Sequence, residues 1–196
     1  MEDDSLDQST CMEFLAPHLD DLRASVIGAF NRYHETPAHI LAEHDERAAT
    51  SGVHSHIVHE IARAFSDVAG ASVLNVQGLK VLNLHDRVVL RFKKVSETGR
   101  HKNHVSRQQI RFDRQLTLPG LPPAATKLTL GYETDPAFAE IVRVTVGCPL
   151  GHGTAPLWLA QINHIEAAPA WEDITPARFP DTGRYERFRD DDAASG

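Results

Sequence analysis

Hydrophobic residues follow a helical period in the N-terminal part of the chain. Between Pro17 and Tyr33 the apolar side chains recur three or four positions apart, which is the spacing of an amphipathic helix. Thr36 is then a suitable N-cap for a short second helix, which would bury Ile40 and Leu41. The pattern therefore predicts two consecutive helices.

A third helix is predicted by a well-defined apolar stripe. The stripe runs at helical spacing from Val53 to Val68, and Ser51 can cap its start. Together the three helices form a predicted helical layer over residues 17–70. Residues 1–12 are acidic and lack this pattern, so we expect them to form a flexible lead.

The period then changes from 3.6 to 2, which is the period of a strand with one buried face. Three strands are predicted, at residues 73–77, 79–84 and 88–95, with turns at Gln77-Gly78 and His85-Asp86. Turns this short join antiparallel neighbours, so these strands should form an antiparallel meander.

The third of these strands has two chemically different sides, because successive side chains of a strand alternate. Val88, Leu90 and Phe92 point to one side, whereas Arg87, Arg91 and Lys93 point to the other. We expect the apolar side to cover the core and the other side to expose a ridge of cations.

Residues 105–116 return to helical spacing. At 100° per residue, Arg107, Arg111 and Arg114 lie within about 60° of one another, and Phe112 lies on the opposite side. The pattern predicts a short helix with a buried apolar side and an exposed stripe of arginines.

Three further strands are predicted after the proline-rich connector 118–125, at residues 128–132, 141–146 and 157–162. Residues 163–196 are rich in proline, alanine, aspartate and arginine, and we expect an irregular tail there.

These elements predict a single α+β domain over residues 1–196. Its N-terminal helical layer would pack on a mostly antiparallel sheet of about six strands, formed by residues 72–162. The short basic helix 105–116 would be inserted between strands of that sheet.

Charge is distributed unevenly along this domain. The whole chain has a net charge of −7, and residues 1–60 contain 12 acidic but only 3 basic side chains. Residues 87–114, which we call the basic band, contain 9 basic and 2 acidic side chains. A charge asymmetry of this kind is typical of a chain with an acidic or polyanionic partner.

The rest of the composition excludes several classes. Cys11 and Cys148 are isolated, so we expect neither a disulfide framework nor a structural zinc site. The apolar runs are too short to span a membrane, and the N-terminus lacks the pattern of a secretory signal. We expect a cytoplasmic bacterial protein of unknown oligomeric state.

The basic band admits three interpretations. Its cations can pair internally with the acidic helices, bind a polyanion such as a nucleic acid backbone, or bind an acidic protein partner. Phe92 and Phe112 are predicted to point into the core, so a duplex backbone fits better than stacked single-stranded bases. The candidate contact residues are Arg87, Arg91, Lys93, Arg100, Lys102, Arg107, Arg111 and Arg114. The main hypothesis is a non-enzymatic regulatory protein that binds through these residues.

A metal-dependent nuclease is the first alternative, because the order helix, three-strand meander, helix, strand is also that of the restriction-endonuclease-like core. Such enzymes hold Mg²⁺ with an acid and an acid-x-Lys motif on the second and third strands. Here the third strand has Arg91-Phe92-Lys93 without the acid, and Asp86 and Glu60 are distant substitutes. A degenerate, inactive relative is therefore expected if the analogy holds.

A further alternative is an antitoxin-like interaction subunit that acts through the acidic N-terminal helices.

Neither a metal nor a cofactor is expected. His54, His56 and His59 point in different directions on a helix, and we expect His56 to pair only with Glu60. The glycines at 151–154 are not followed by the helix that a phosphate-binding loop needs.

The segments FDRQLTLPGLPPAATKLTLGY and EIVRVTVGCPLGHGTAPLWLAQI, within residues 109–162, carry a resemblance. They resemble small uncharacterised bacterial proteins associated with operons of helix-turn-helix regulators and metallopeptidase-type partners. The resemblance implies a regulatory or toxin–antitoxin-like role and supplies no catalytic residues.

Overall fold

The computed structural model describes residues 7–101, 106–151, 153–164 and 169–177. Its helices are α1 (Gln8–Leu15), α2 (Leu19–His34), α3 (Ala38–Leu41), α4 (Glu46–Ala64) and α5 (Arg107–Asp113), with a 3-10 turn, Ala16–His18, before α2. Its strands are β1 (Ala71–Val76), β2 (Leu79–Leu84), β3 (Val88–Lys94), β4 (Thr126–Thr134), β5 (Ile141–Cys148), β6 (Trp158–Ile162) and β7 (Trp171–Asp173). The predicted α+β class is confirmed.

All seven strands form one sheet, in the order in which they occur in the sequence. Neighbouring strands are antiparallel except β3 and β4, which are parallel. A parallel pair needs a crossover, and α5 with the connector after it provides that crossover. The seventh strand, β7, lies inside the expected irregular tail. Its Trp171 packs against the main core, which is the hydrophobic core between the N-terminal helices and the sheet.

The predicted turns of the meander are confirmed by their backbone angles. Gln77 and Gly78 have φ values of 51° and 86°, and His85 and Asp86 have values of 52° and 55°. Two consecutive positive φ angles characterise the hairpin turns whose twist matches that of the strands they join. The side chain of Asn75 also accepts a hydrogen bond from the Gly78 amide at 3.1 Å.

The N-terminal helices cover one face of the sheet, as predicted. Their apolar stripes meet the inward residues of the strands in the main core, whose fully buried members include Leu22, Val26, Val53, Ile57, Ile61, Leu82, Leu90 and Leu128. Each fully buried aliphatic side chain contributes about 1.5–3 kcal/mol to folding, so this layer accounts for much of the apolar stabilisation. No helix among the described residues is both long and apolar enough to cross a membrane.

The start of the helical layer differs from the prediction. Residues 8–12 belong to α1 rather than to a flexible lead, and Cys11 and Met12 are buried in the main core. The Asp7 carboxylate caps α1 by accepting a hydrogen bond from the Thr10 amide at 2.9 Å. The apolar contacts of α1 outweigh the acidic composition that suggested disorder. Residues 1–6 lie outside the described residues.

Two further predictions, the start of α4 and the residues buried by α3, are also wrong. Helix α4 begins five residues before Ser51, because the Asp45 carboxylate accepts a hydrogen bond from the Ala48 amide at 2.7 Å and caps it there. Helix α3 buries no residue, and Ile40 is 39% exposed, since a helix of four residues cannot present a whole apolar face.

The opposite face of the sheet is covered too, which the sequence did not predict. Val81 and Val89 are fully buried there beneath Phe112 and Leu118, in a second, smaller core. The basic side of β3 is therefore covered by α5 and its connector over much of its length. The expected exposed ridge of cations is wrong at Arg91, which is 1% exposed.

Candidate functional site

Helix α5 is fixed on the second face of the sheet by its own amphipathic pattern. Ser106 caps it by accepting a hydrogen bond from the Gln109 amide at 3.2 Å. Phe112 is fully buried beneath it, and the Gln108 side chain donates to the Val76 carbonyl of β1 at 2.7 Å. The predicted inward side of this helix is therefore confirmed at Phe112.

The helix ends three residues earlier than predicted. Gln115 has a φ of 56°, and the amides of Gln115 and Leu116 bond back to the carbonyls of Phe112 and Arg111. This pattern closes a helix with a left-handed residue. The Gln115 side chain then bonds both backbone groups of Lys127 in β4, at 2.7 and 2.8 Å. As a result Leu116, which a helix continued to residue 116 would place on the same side as Phe112, is 47% exposed.

Arg91 and Asp113 form an ion pair between the sheet and α5. The Arg91 Nη2 and Asp113 Oδ1 atoms are 2.5 Å apart, and the two side chains are 1% and 0% exposed. Arg91 Nε also donates to Thr129 Oγ1 at 3.0 Å, and the guanidinium lies 4.6 Å from the centre of the Phe112 ring. Burial lowers the pKa of the Arg91 guanidinium, and the Asp113 carboxylate opposes that shift. Arg91 thus acts as a structural anchor and is inaccessible to an external polyanion.

His101 borders the same buried cluster. Its Nε2 atom lies 3.2 Å from Arg91 Nη2 and 3.9 Å from Asp113 Oδ2. Together with Thr129 and Thr145 it lines a cavity of about 10 Å³, which has room for roughly one water molecule. A cavity of that size cannot admit a nucleotide or a phosphoryl group.

Lys93 follows Arg91 on the same side of β3 and is half-buried. Burial lowers its pKa to about 8, and the neighbouring Arg91 charge adds to the shift, whereas Asp113 opposes it. Lys93 therefore stays mainly protonated at neutral pH but loses its charge at a lower pH than a surface lysine. Its partial burial makes it less accessible to an external polyanion than the sequence indicated.

Arg107, Arg111 and Arg114 are exposed, as the helical spacing predicted. The Arg111 guanidinium donates to the Thr117 carbonyl at 2.6 and 3.0 Å, which fixes its orientation at the end of α5. We call these three residues the arginine stripe. Within the described residues no ion pair involves them.

The other candidate residues do not join this stripe into one ridge. Arg87 is exposed, but its guanidinium stacks on Phe14 of α1 at 4.8 Å and so belongs to the helical layer. Arg100 is exposed in the loop after β3. Lys102 lies outside the described residues. The basic band is thus divided between the helical layer, the buried cluster and the arginine stripe.

The interpretation that the band pairs with the acidic helices receives limited support. One cation of the band, Lys94, bonds an acid of the first sixty residues, with Lys94 Nζ 3.2 Å from Glu46 Oε1. Arg91 pairs with Asp113, which lies inside the band itself. No other ion pair among the described residues joins the band to α1–α4. The reason is geometric, because α5 and those helices lie on opposite faces of the sheet.

The carboxylates considered for a nuclease site have structural partners instead. Glu60 bonds Arg32 at 3.2 Å and Arg63 at 2.7 Å, and these bonds, with Arg63 first, hold the pKa of its carboxyl below the usual value. Asp86 accepts a hydrogen bond from the Asn83 side chain at 2.7 Å. Within the described residues no group of three His, Cys, Asp or Glu side chains is placed to hold a metal ion.

The histidines of α4 differ from one another in environment. His54 lies near the Phe92 ring, with 6.3 Å between ring centres, and burial lowers its pKa with help from Lys93 and Lys80. The expected contact of His56 with Glu60 is replaced by the two arginine contacts of Glu60.

A cleft that the sequence did not indicate lies between the helical layer and the β4–β5 hairpin. Its volume is about 580 Å³, and its lining includes Tyr33, His34, Lys94 and Phe138. Phe138 has a φ of 56°, and its ring lies 5.3 Å from that of Phe30 and 6.0 Å from that of Tyr33. These contacts hold the hairpin tip against α2.

Sequence reasoning missed Asp113 and His101 as partners of Arg91. One signal was present, since Arg91 interrupts an apolar run, Val88–Phe92, in which both sides of the strand are hydrophobic. A strand with two apolar sides is covered on both faces, and an arginine within it needs a buried acid.

In comparisons with protein-family models, curated proteins and solved structures, nothing matched this chain. The regulatory role implied by the resemblance of residues 109–162 stays a prediction.

Proposed function

We propose that this protein is a non-enzymatic binding protein whose arginine stripe contacts the phosphate backbone of a nucleic acid duplex. The observation that carries the proposal is the position of Arg107, Arg111 and Arg114. All three are exposed, Arg107 and Arg111 within α5 and Arg114 at its C-cap, and within the described residues none of them pairs with an acid.

The layered fold supports this proposal. The sheet separates α5 from the acidic helices α1–α4, so a polyanion on the outer side of α5 avoids their negative charge. The acidic residue within α5, Asp113, is 0% exposed, and its charge is neutralised by Arg91. The outer surface of the helix is therefore positive although the chain has a net charge of −7.

The side chains favour a phosphate backbone over stacked bases. An arginine can bind a phosphate with two parallel hydrogen bonds, and the fixed Arg111 guanidinium is already oriented by the Thr117 carbonyl. Phe92 and Phe112 are buried, so neither can stack on a base. This combination suits a sequence-tolerant contact with a duplex.

The test is retention on duplex DNA or heparin as a function of salt. We expect the triple variant R107A/R111A/R114A to elute at much lower salt, and its slope of log Kobs against log salt to fall by about 2.7, at about 0.9 per lost phosphate contact. The matched control is R23A/R47A/R63A, which removes the same charge from the helical layer and should elute close to the unmodified protein. Equal elution of the two triple variants would refute the proposal.

A protein partner is the other outcome of the same experiment. If the unmodified protein is not retained on either column, but R107A/R111A/R114A loses binding to an acidic protein, the arginine stripe recognises carboxylates. The control triple variant again has to retain binding.

A further inference from the structure

The two edges of the sheet differ in how they are protected. Natural edge strands are usually kept from pairing by lysine, proline, a bulge or a short length. Strand β7 is 3 residues long, and two of its residues are acidic. Strand β1, Ala71–Val76, has 6 residues without a charge or a proline, and its register with β2 is unbroken. No strand among the described residues pairs with its outer side.

Alternate residues of β1 direct their backbone groups to this outer side. The Gly70 carbonyl accepts a hydrogen bond from the His85 amide at 2.7 Å. The even-numbered residues of this segment therefore direct their backbone N–H and C=O groups toward β2. The orientation alternates along an antiparallel pair. Val73 and Asn75 therefore present both their N–H and their C=O groups to the open side.

We infer that β1 is the contact between two copies of this chain, paired antiparallel about a two-fold axis at Leu74. In this register Val73 of one copy lies opposite Asn75 of the other, and each exchanges both backbone groups with its partner. The same two residues thus supply all the donors and acceptors, which makes the edge self-complementary.

The charge and shape of β1 favour a second copy as the occupant. The strand carries no charged side chain, so no charge of β1 itself has to be desolvated or paired when two copies meet there. At the axis the two Leu74 side chains would oppose each other in a non-hydrogen-bonded pair, with Cα atoms about 4.5 Å apart. Leu74 is only partly buried against the second core, which leaves apolar area for this contact.

The pairing has a consequence for α5. A two-fold axis perpendicular to the sheet keeps both α5 helices on the same face of a continuous sheet. The two arginine stripes would then lie on one surface and contact one duplex together, a consequence that rests on the proposed function. The pairing of β1 itself does not depend on it.

The experiment measures the mass of the full chain by light scattering over a range of concentrations, together with amide hydrogen exchange. We expect a mass of twice 21.7 kDa at high concentration, with the amides of Val73 and Asn75 protected only in the dimer. The variant Val73→Pro removes an outward N–H without breaking the pairing of β1 with β2. Ser72→Lys instead adds a charge at an exposed edge position.

The matched control is Ala62→Lys, which adds the same charge at an exposed position of α4. We expect V73P and S72K to have the mass of one chain at concentrations where the unmodified protein and A62K are dimers. If V73P does not fold, S72K and the exchange data still decide the question.

A monomer at every accessible concentration would overturn the inference, and so would a dimer that S72K leaves intact or that leaves the two amides unprotected. A monomer retained on duplex DNA would overturn the inference and preserve the proposed function. A β1-paired dimer that is not retained on duplex DNA would support the inference and overturn the proposed function.

Discussion

The basic band contains two kinds of arginine. Arg91 is 1% exposed and bonded to Asp113, whereas Arg107, Arg111 and Arg114 are exposed on the outer side of α5. All four belong to the same cationic stretch of sequence. Their exposure differs because they lie on different elements. Strand β3 is covered on both faces, whereas α5 is covered only on the side that faces the sheet.

The difference teaches that local charge density does not identify a binding surface. The buried pair fixes α5 on the sheet, since the charge of either partner would be uncompensated if the helix moved away. The arginine stripe makes few internal contacts and is held in place by that pair. The surface above the helix therefore depends on the anchor beneath it.

Asp113→Asn should have the largest effect on stability. It leaves the Arg91 charge buried without its carboxylate, and we expect the free energy of unfolding to fall by about 3–5 kcal/mol. Urea denaturation followed by circular dichroism measures this change.

The double variant R91M/D113L is the control for that prediction. Apolar residues of similar size often replace a buried ion pair without loss, so the double variant should be more stable than D113N alone. An Asp113→Asn protein within about 0.5 kcal/mol of the unmodified protein would show that the pair is not an anchor.

Lys93 should make stability depend on pH, with an effect of intermediate size. Its pKa is about 8 in the folded protein, against 10.5 for an exposed lysine. Between these pH values the unfolded chain binds a proton that the folded chain has lost, so the contribution of Lys93 to the unfolding free energy rises with pH. Below about pH 8 both states are protonated and the cost of burying the charge is fully present.

The measurement compares unfolding free energies of the unmodified protein and Lys93→Met from pH 7 to pH 10. Relative to K93M, the unmodified protein should gain stability as the pH rises. Taking the difference between the two proteins removes the contribution of groups that they share, such as the buried thiols. If the difference in unfolding free energy between the two proteins stays constant over this range, Lys93 keeps the pKa of an exposed lysine.

The smallest effects are expected at the arginine stripe. Arg107→Ala and Arg114→Ala each should change the free energy of unfolding by no more than about 0.5 kcal/mol, because exposed side chains without specific contacts contribute little. The same urea titrations measure this. A loss above about 1 kcal/mol at either residue would give it a structural role and weaken the comparison with Arg91.

Much of the fold could be predicted from the sequence because its signals are local. The apolar stripe from Val53 to Val68 located α4, and the Gln77-Gly78 and His85-Asp86 turns fixed the meander, since turn geometry depends on a few adjacent residues. The positions of Arg107, Arg111 and Arg114 on one side of α5 also follow from helical spacing alone.

The failures have a common cause, which is contact between distant parts of the chain. Helix α1 forms at residues 8–15 because Met12 and Leu15 find partners in the main core. The strand β7 exists because Trp171 pairs opposite Ile162, at the end of the sheet. Neither contact leaves a mark in the local composition, which is acidic in the first case and rich in proline and alanine in the second.

The sequence by itself determined the class of the fold, the order of its elements from α2 to β6 and the helical spacing of the arginine stripe, because each depends on periodicity within a segment. Only the tertiary structure decided which cations of the basic band are accessible. That outcome depends on the second layer over β3, where Asp113, 22 positions after Arg91, supplies the charge that makes a buried guanidinium tolerable. Burial of a charge is settled by its three-dimensional neighbours, and those come from segments far apart in the chain.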